Sequence, residues 1–151
     1  MNKNKEGWLR LNAKNIHATA VAIEKKAVLI LGKSGAGKSD LALRLIMDKN
    51  AELIADDRVD IESVNGVLKA ACPKNIQGLL EVRGIGICKF PFIESAEVLI
   101  AVQLVENPDK IERLPEKETI EFLNVKIPLL KLYPFEASAS DKIILACYQN
   151  R

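Results

Sequence analysis

Residues 27–49, AVLILGKSGAGKSDLALRLIMDK, hold the reading that decides the fold. The apolar run AVLIL, 27–31, has no polar alternation, the pattern of a strand covered on both faces. The next eight residues fit GxxxxGKS in full, through Gly32, Gly37, Lys38 and Ser39. After them Leu41, Leu45 and Ile46 recur at the spacing of one helix face, and Ala42 and Leu43 widen the stripe. The loop is therefore predicted to sit between a buried strand and a helix N-terminus. There the backbone N–H groups of Gly32, Lys33, Ser34, Gly35, Ala36, Gly37, Lys38 and Ser39 can turn toward phosphate oxygens. Lys38 would reach the β and γ phosphates and Ser39 would ligate Mg²⁺. A chance glycine turn is the plain alternative, and the strand and helix on either side argue against it.

Working outward, IHATAVAI (16–23) reads as a strand joined to AVLIL by a short turn at Glu24, Lys25 and Lys26. On the other side AELIADDRVDIESVNGVLKAA gives a short apolar strand, an acidic break, and two strands around Asn65-Gly66, a strong hairpin signal. GLLEVRG, VLIAVQLV and TIEFLNVKIPLL are strand-like, NPDKIERLPEKET reads as a surface loop, and ASASDKIILACYQ as a closing helix capped by Ser138 or Ser140. Hairpins outnumber helices, so the predicted fold is α/β with a mixed sheet around the phosphate loop, not a run of parallel βαβ units.

A chain of 151 residues is expected to form one domain, spanning 1–151. A net charge of +2 gives no basic surface for nucleic acid. No apolar run approaches the roughly 20 residues of a membrane span. The opening MNKNKEGWLRLN has no apolar h-region, so a cytoplasmic location is expected. Cys72, Cys88 and Cys147 lack metal or disulfide spacing and read as reduced packing residues.

Other residues carry chemistry. Asp56 and Asp57 end the strand in LIADDRVD. One carboxylate there can hold Mg²⁺ and its neighbour can take a proton from an attacking hydroxyl, whereas a solvated Asp-Asp turn is the plain alternative. In LLEVRGIGICKF, Glu81 and Arg83 stand two apart, which on a strand puts them on one face, and Gly84 and Gly86 suggest close backbone approach. His17 is the sole histidine. Arg113, in IERLPEK, is a loop cation able to reach a phosphoryl group.

Taken in order, IHATAVAI, GKSGAGKSDLAL, LIADDRVD and LLEVRGIGI resemble the catalytic domain of the bacterial HPr kinase/phosphorylase family, from about Ile16 to the C-terminus. The resemblance implies a P-loop kinase core like that of phosphoenolpyruvate carboxykinase. It also implies use of ATP and Mg²⁺ to phosphorylate a serine of HPr, the phosphocarrier of the sugar phosphotransferase system, with phosphorolysis as the reverse reaction of many members. Under it Lys38 binds phosphates, Ser39 and Glu81 lie on the metal side, and Asp57 is the base, with Asp56 assisting. His17 and Arg113 align with the family's histidine and loop arginine, and Arg83, Gly84 and Gly86 with its signature stretch. About 15 residues precede the match and YPFEASASDK replaces the family's PGRN loop, so the expected form is the short one of alphaproteobacteria. A homo-oligomer is expected, with a sensor kinase or regulator as a further partner. Two other readings stay open: a kinase for a small molecule, and a non-catalytic ATP-binding regulatory module.

Overall fold

The computed structural model describes residues 13–151, and the opening stretch MNKNKEGWLRLN lies outside them. The phosphate loop leaves β3 (Lys26–Leu31) and enters α1 (Lys38–Lys49), as its sequence requires. Before β3 the chain runs through β1 (Ala13–His17) and β2 (Thr19–Ile23). IHATAVAI is therefore two strands, not one. Ala18 breaks it, and β1 pairs with β5 (Arg58–Val64) while β2 pairs with β3 and with β4 (Glu52–Ala55). The break changes partner sheets without changing composition, which is why an apolar count cannot find it.

Beyond β5 follow β6 (Val67–Ala71), the small hairpin of β7 (Leu79–Val82) and β8 (Gly86–Lys89), and the long β9 (Ser95–Leu104). A 3₁₀ turn at Pro108–Lys110 lies in the exposed segment read as a loop. TIEFLNVKIPLL divides into β10 (Glu118–Phe122) and β11 (Val125–Leu132), and α2 (Ala139–Gln149) closes the chain. Ser138 holds the N-cap position of α2, but no side-chain cap bond forms there.

Tight turns set the pairing. Glu24 and Lys25 both have positive φ, as do Asn65 and Gly66, and Leu123 and Asn124. Two left-handed residues in succession make the turn whose twist matches paired strands.

β9 organises the sheet. Its first part pairs antiparallel with β6, and its later part pairs in parallel with β11 on one side and β3 on the other. The order along the main path is β1-β5-β6-β9-β3-β2-β4, with β11 and then β10 branching from β9.

Side chains alternate across this curled sheet. Val21, Ile23, Val28 and Ile30 face Leu41, Ala42 and Leu45 of α1 and Ala139, Ile143 and Cys147 of α2. Ala20, Ala22, Ala27 and Leu29 face Val59, Ile61 and Leu68, where β5 and β6 fold over the opposite side. Alanines there allow close sheet-to-sheet approach, and both faces of β2 and β3 are covered. β3, β4, β9 and β11 run in one direction, so their C-terminal ends share an edge. The phosphate loop sits on that edge.

All three cysteines are free thiols. Burial raises the thiol pKa of Cys72, and pushes Cys147 up to about 11. Cys88 is only half-buried. A thiol-reactive chromophore is expected to titrate Cys88 quickly in the folded protein, and Cys72 and Cys147 only after denaturation. Fast reaction of all three thiols would contradict this core. Among the described residues no helix is long and apolar enough to cross a membrane.

Candidate active site

Gly37 caps α1 with φ of 105°, a left-handed conformation that an L side chain adopts only with strain. It turns the loop into the helix, so that N–H groups of the first turn point out of the sheet edge. Lys38 then lies almost buried, at 7% exposure, and folds back on the loop. Its Nζ donates to the carbonyl oxygens of Gly32 (2.6 Å) and Lys33 (3.0 Å). Burial lowers the Lys38 pKa from 10.5, opposed by the charges of Asp57 and Asp56.

The sign of this shift gives a measurable consequence. A lowered pKa means that the unfolded chain binds more protons than the folded one in the alkaline range below 10.5, so this group adds stability as pH rises through that window. A polyphosphate on the loop favours the ammonium and reverses the effect. Binding of a polyphosphate in this alkaline window is therefore expected to take up protons. Calorimetry in buffers of different ionisation enthalpy measures this, and proton release would contradict it.

Asp56 directly follows β4 and gathers three elements. Its Oδ1 accepts from Ser39 Oγ (2.7 Å) at the head of α1 and from Thr19 Oγ1 (3.1 Å) on β2. The backbone N–H of Glu81 on β7 donates to its Oδ2 at 3.4 Å. Thr19 is fully buried. Sequence reading missed it, although a hydroxyl within ATAVAI was a usable signal, because a buried polar group needs a partner.

Asp57 follows with φ of 69°, and the N–H of Arg58 donates to the Asp56 carbonyl oxygen at 2.8 Å. This is a three-residue γ-turn of the rare positive-φ kind, a strained arrangement. It points two neighbouring carboxylates to different tasks. Asp56 turns inward to Ser39, whereas the Asp57 side chain is 72% exposed and its Oδ1 lies 2.8 Å from His17 Nε2. His17 ends β1, beside the break at Ala18, whose N–H donates to the Asp57 carbonyl oxygen.

Lys38, Ser39, Asp56, Asp57 and His17 thus converge. Glu81 joins them through its backbone, and its side chain is exposed. Arg83 does not share a strand face with Glu81, because β7 stops at Val82 and Arg83 enters the turn. Gly84 and Gly86 lie with it at the exposed tip of the β7–β8 hairpin, both with positive φ. Arg113 lies exposed in the segment after β9, and among the described residues no hydrogen bond or ion pair ties it to the cluster. Lys33 forms an ion pair with Glu106, just beyond β9, and the ammonium holds the Glu106 carboxyl below its usual range. The loop lysine thus faces that segment across an exposed ion pair.

A strand, a GxxxxGKS loop and a helix, with a carboxylate just past β4 bonded to the loop serine, define a P-loop domain. The family profile described as HPr Serine kinase C-terminal domain matches residues 11–150, and the chain belongs to that family. HPr kinase/phosphorylase of Brevibacillus brevis is 34% identical over 126 residues, covering 76% of this chain and 40% of that protein. The Cupriavidus necator HPr kinase/phosphorylase is 37% identical over 127 residues, with 78% and 39% covered. The chain therefore spans about two fifths of the length of the curated relatives it matches. Among solved structures, the Hpr(Ser) kinase/phosphatase from Coxiella burnetii superposes with a TM-score of 0.78 at 28% identity, covering 90% of this chain and 95% of that one. The mixed sheet expected from the sequence is this P-loop kinase core.

Proposed function

We propose that this chain is a kinase that transfers the γ-phosphoryl group of ATP to a serine of an HPr-type phosphocarrier. The observation that carries the reading is the division of labour between adjacent carboxylates, Asp56 on Ser39 and Asp57 on His17, at the mouth of one phosphate loop. The family to which the chain belongs, and relatives named HPr kinase/phosphorylase, support the acceptor.

The chain's own groups divide the work. Amides of the loop and α1 hold the triphosphate, and Lys38 swings from the Gly32 and Lys33 carbonyls to the β and γ phosphates. Asp57 accepts the proton of the attacking serine hydroxyl, and His17 fixes the carboxylate's orientation. The new bond joins the serine oxygen to the γ phosphorus as the bond to the β-phosphate oxygen breaks, leaving ADP. Arg113 is assigned to the transferring group, brought to the site by movement of its loop.

Ser39 and Asp56 present hydroxyl and carboxylate oxygens 2.7 Å apart, a donor set suited to Mg²⁺, and Glu81 is assigned to the same side. Mg²⁺, held there by Ser39 and Asp56, would neutralise phosphate charge. Among the described residues no group of three or more His, Cys, Asp or Glu forms a protein-only metal cage. Mg²⁺ that keeps waters and phosphate ligands needs none. We further assign a single domain over 1–151, a cytoplasmic setting, a homo-oligomer, and the reverse phosphorolysis.

The test is incubation of the purified protein with ATP, Mg²⁺ and an HPr-type carrier, followed by mapping of phosphate by mass spectrometry. Phosphoserine on the carrier supports the reading. ATP binding without transfer would overturn it in favour of a regulatory module, and transfer to a metabolite alone would replace the acceptor.

A further inference from the structure

On the opposite flank of the phosphate loop from Asp56 stands an aromatic group that the chemistry above does not use. β11 and α2 are joined by residues 133–138, and this segment carries Tyr133, Pro134 and Phe135. The Phe135 ring leans on the loop itself. A Cβ built on Gly37 would meet Phe135 ring carbons at 3.4 Å and the Pro134 Cβ at 3.7 Å. The ring is nevertheless 62% exposed. Its edge is braced by Tyr133, with ring centroids 5.6 Å apart and planes at 80°.

The segment is pinned. Arg44 of α1 donates to the Pro134 carbonyl oxygen at 2.7 Å, Glu136 pairs with Lys142 of α2, and Ala139 N–H donates to the Glu136 carbonyl. These contacts hold a large apolar ring in a fixed place beside the phosphate loop with one side open to solvent.

The sheet order says what reaches it. At the shared edge the strands run β11, β9, β3, β2, β4. The phosphate loop follows β3, at the middle. Asp56 and Asp57 follow β4 on one flank, and Phe135 follows β11 on the other. A triphosphate whose γ end faces the two carboxylates directs its α-phosphate, ribose and base away from them, toward Phe135.

We infer that Phe135, backed by Tyr133, is the stacking platform for the nucleotide's base. This rests on the P-loop reading above and adds to it the subsite that distinguishes a nucleotide from a bare polyphosphate. The ring offers a π face and no hydrogen-bonding group, so it supplies affinity for a base and not the choice among bases.

The test compares ATP with inorganic tripolyphosphate, which carries the phosphates without the base, by calorimetry on the full chain. Phe135→Ala is expected to weaken ATP binding about tenfold and to leave tripolyphosphate within about twofold. Phe135→Trp is expected to restore ATP affinity. The inference is overturned if Phe135→Ala binds ATP as the parent does, or if it loses both probes equally, which would make the ring a prop for the loop. It is also overturned if only capture of the phosphocarrier weakens, which would assign the ring to the protein acceptor. Tripolyphosphate binding in the parent, lost in Lys38→Ala, shows that the P-loop reading stands whatever Phe135 does. If neither probe binds the parent, that reading fails and this one with it.

Discussion

In an Asp57→Asn variant, phosphoryl transfer to a carrier serine falls by about 10²–10⁴-fold while nucleotide affinity stays within about twofold. The reason lies in what Asp57 does not touch. Its carboxylate meets His17 and solvent, whereas the bonds that organise the phosphate loop run through Asp56, Ser39 and Lys38. Removing one proton acceptor therefore strips the chemical step and spares the binding surface. Asparagine is the informative replacement because Asp57 holds φ of 69°, which Asn tolerates and Ala does not. A lost rate in Asp57→Asn cannot then be blamed on the turn. Steady-state kinetics with nucleotide titration checks this, with thermal unfolding alongside to show that the fold is unchanged. A variant that transfers at the parental rate would end the base assignment, and one that loses nucleotide binding as well would move Asp57 into the loop's architecture.

The second large effect is expected at Lys38. Lys38→Ala should lower turnover by about 10³-fold or more, and Lys38→Arg should not rescue it. The ammonium is nearly buried between two carbonyl oxygens, a pocket that fits a point charge on a thin stem and not a planar fork. Lys38→Met separates function from folding. It keeps a stem of similar length without the ammonium, so turnover should stay lost while the change in melting temperature reports separately on the two hydrogen bonds to the Gly32 and Lys33 carbonyls. Thermal melts and single-turnover assays on the same preparations test both halves. Parental turnover in Lys38→Ala would remove the loop from catalysis altogether.

These expectations show where the sequence was legible. The phosphate loop, its strand and α1 were readable because each depends on neighbours in the chain: a continuous apolar run, fixed glycine spacing and a helical stripe. Asn65-Gly66 announced its hairpin for the same reason. The hairpin at Leu123 and Asn124 did not, because its left-handed positions lack glycine and only the pairing of β10 with β11 holds them there. The shared face of Glu81 and Arg83 failed on strand length, which pairing with β8 sets.

Roles within the site divide in the same way. That Asp56 and Asp57 would act differently was open to the sequence, but which one faces Ser39 was fixed by a γ-turn and by Thr19 on a strand 37 residues earlier. For Lys33 the sequence offered only a backbone N–H in the phosphate loop, and the fold brings Glu106, just beyond β9, beside its side chain. The loop, its helix and the class of chemistry follow from residue order alone, since short-range spacing dictates local backbone and the residue types at hand. Which carboxylate turns inward, what Lys33 pairs with, and that Phe135 borders the loop depend instead on how β9 brings distant strand ends to one edge, which no local spacing encodes.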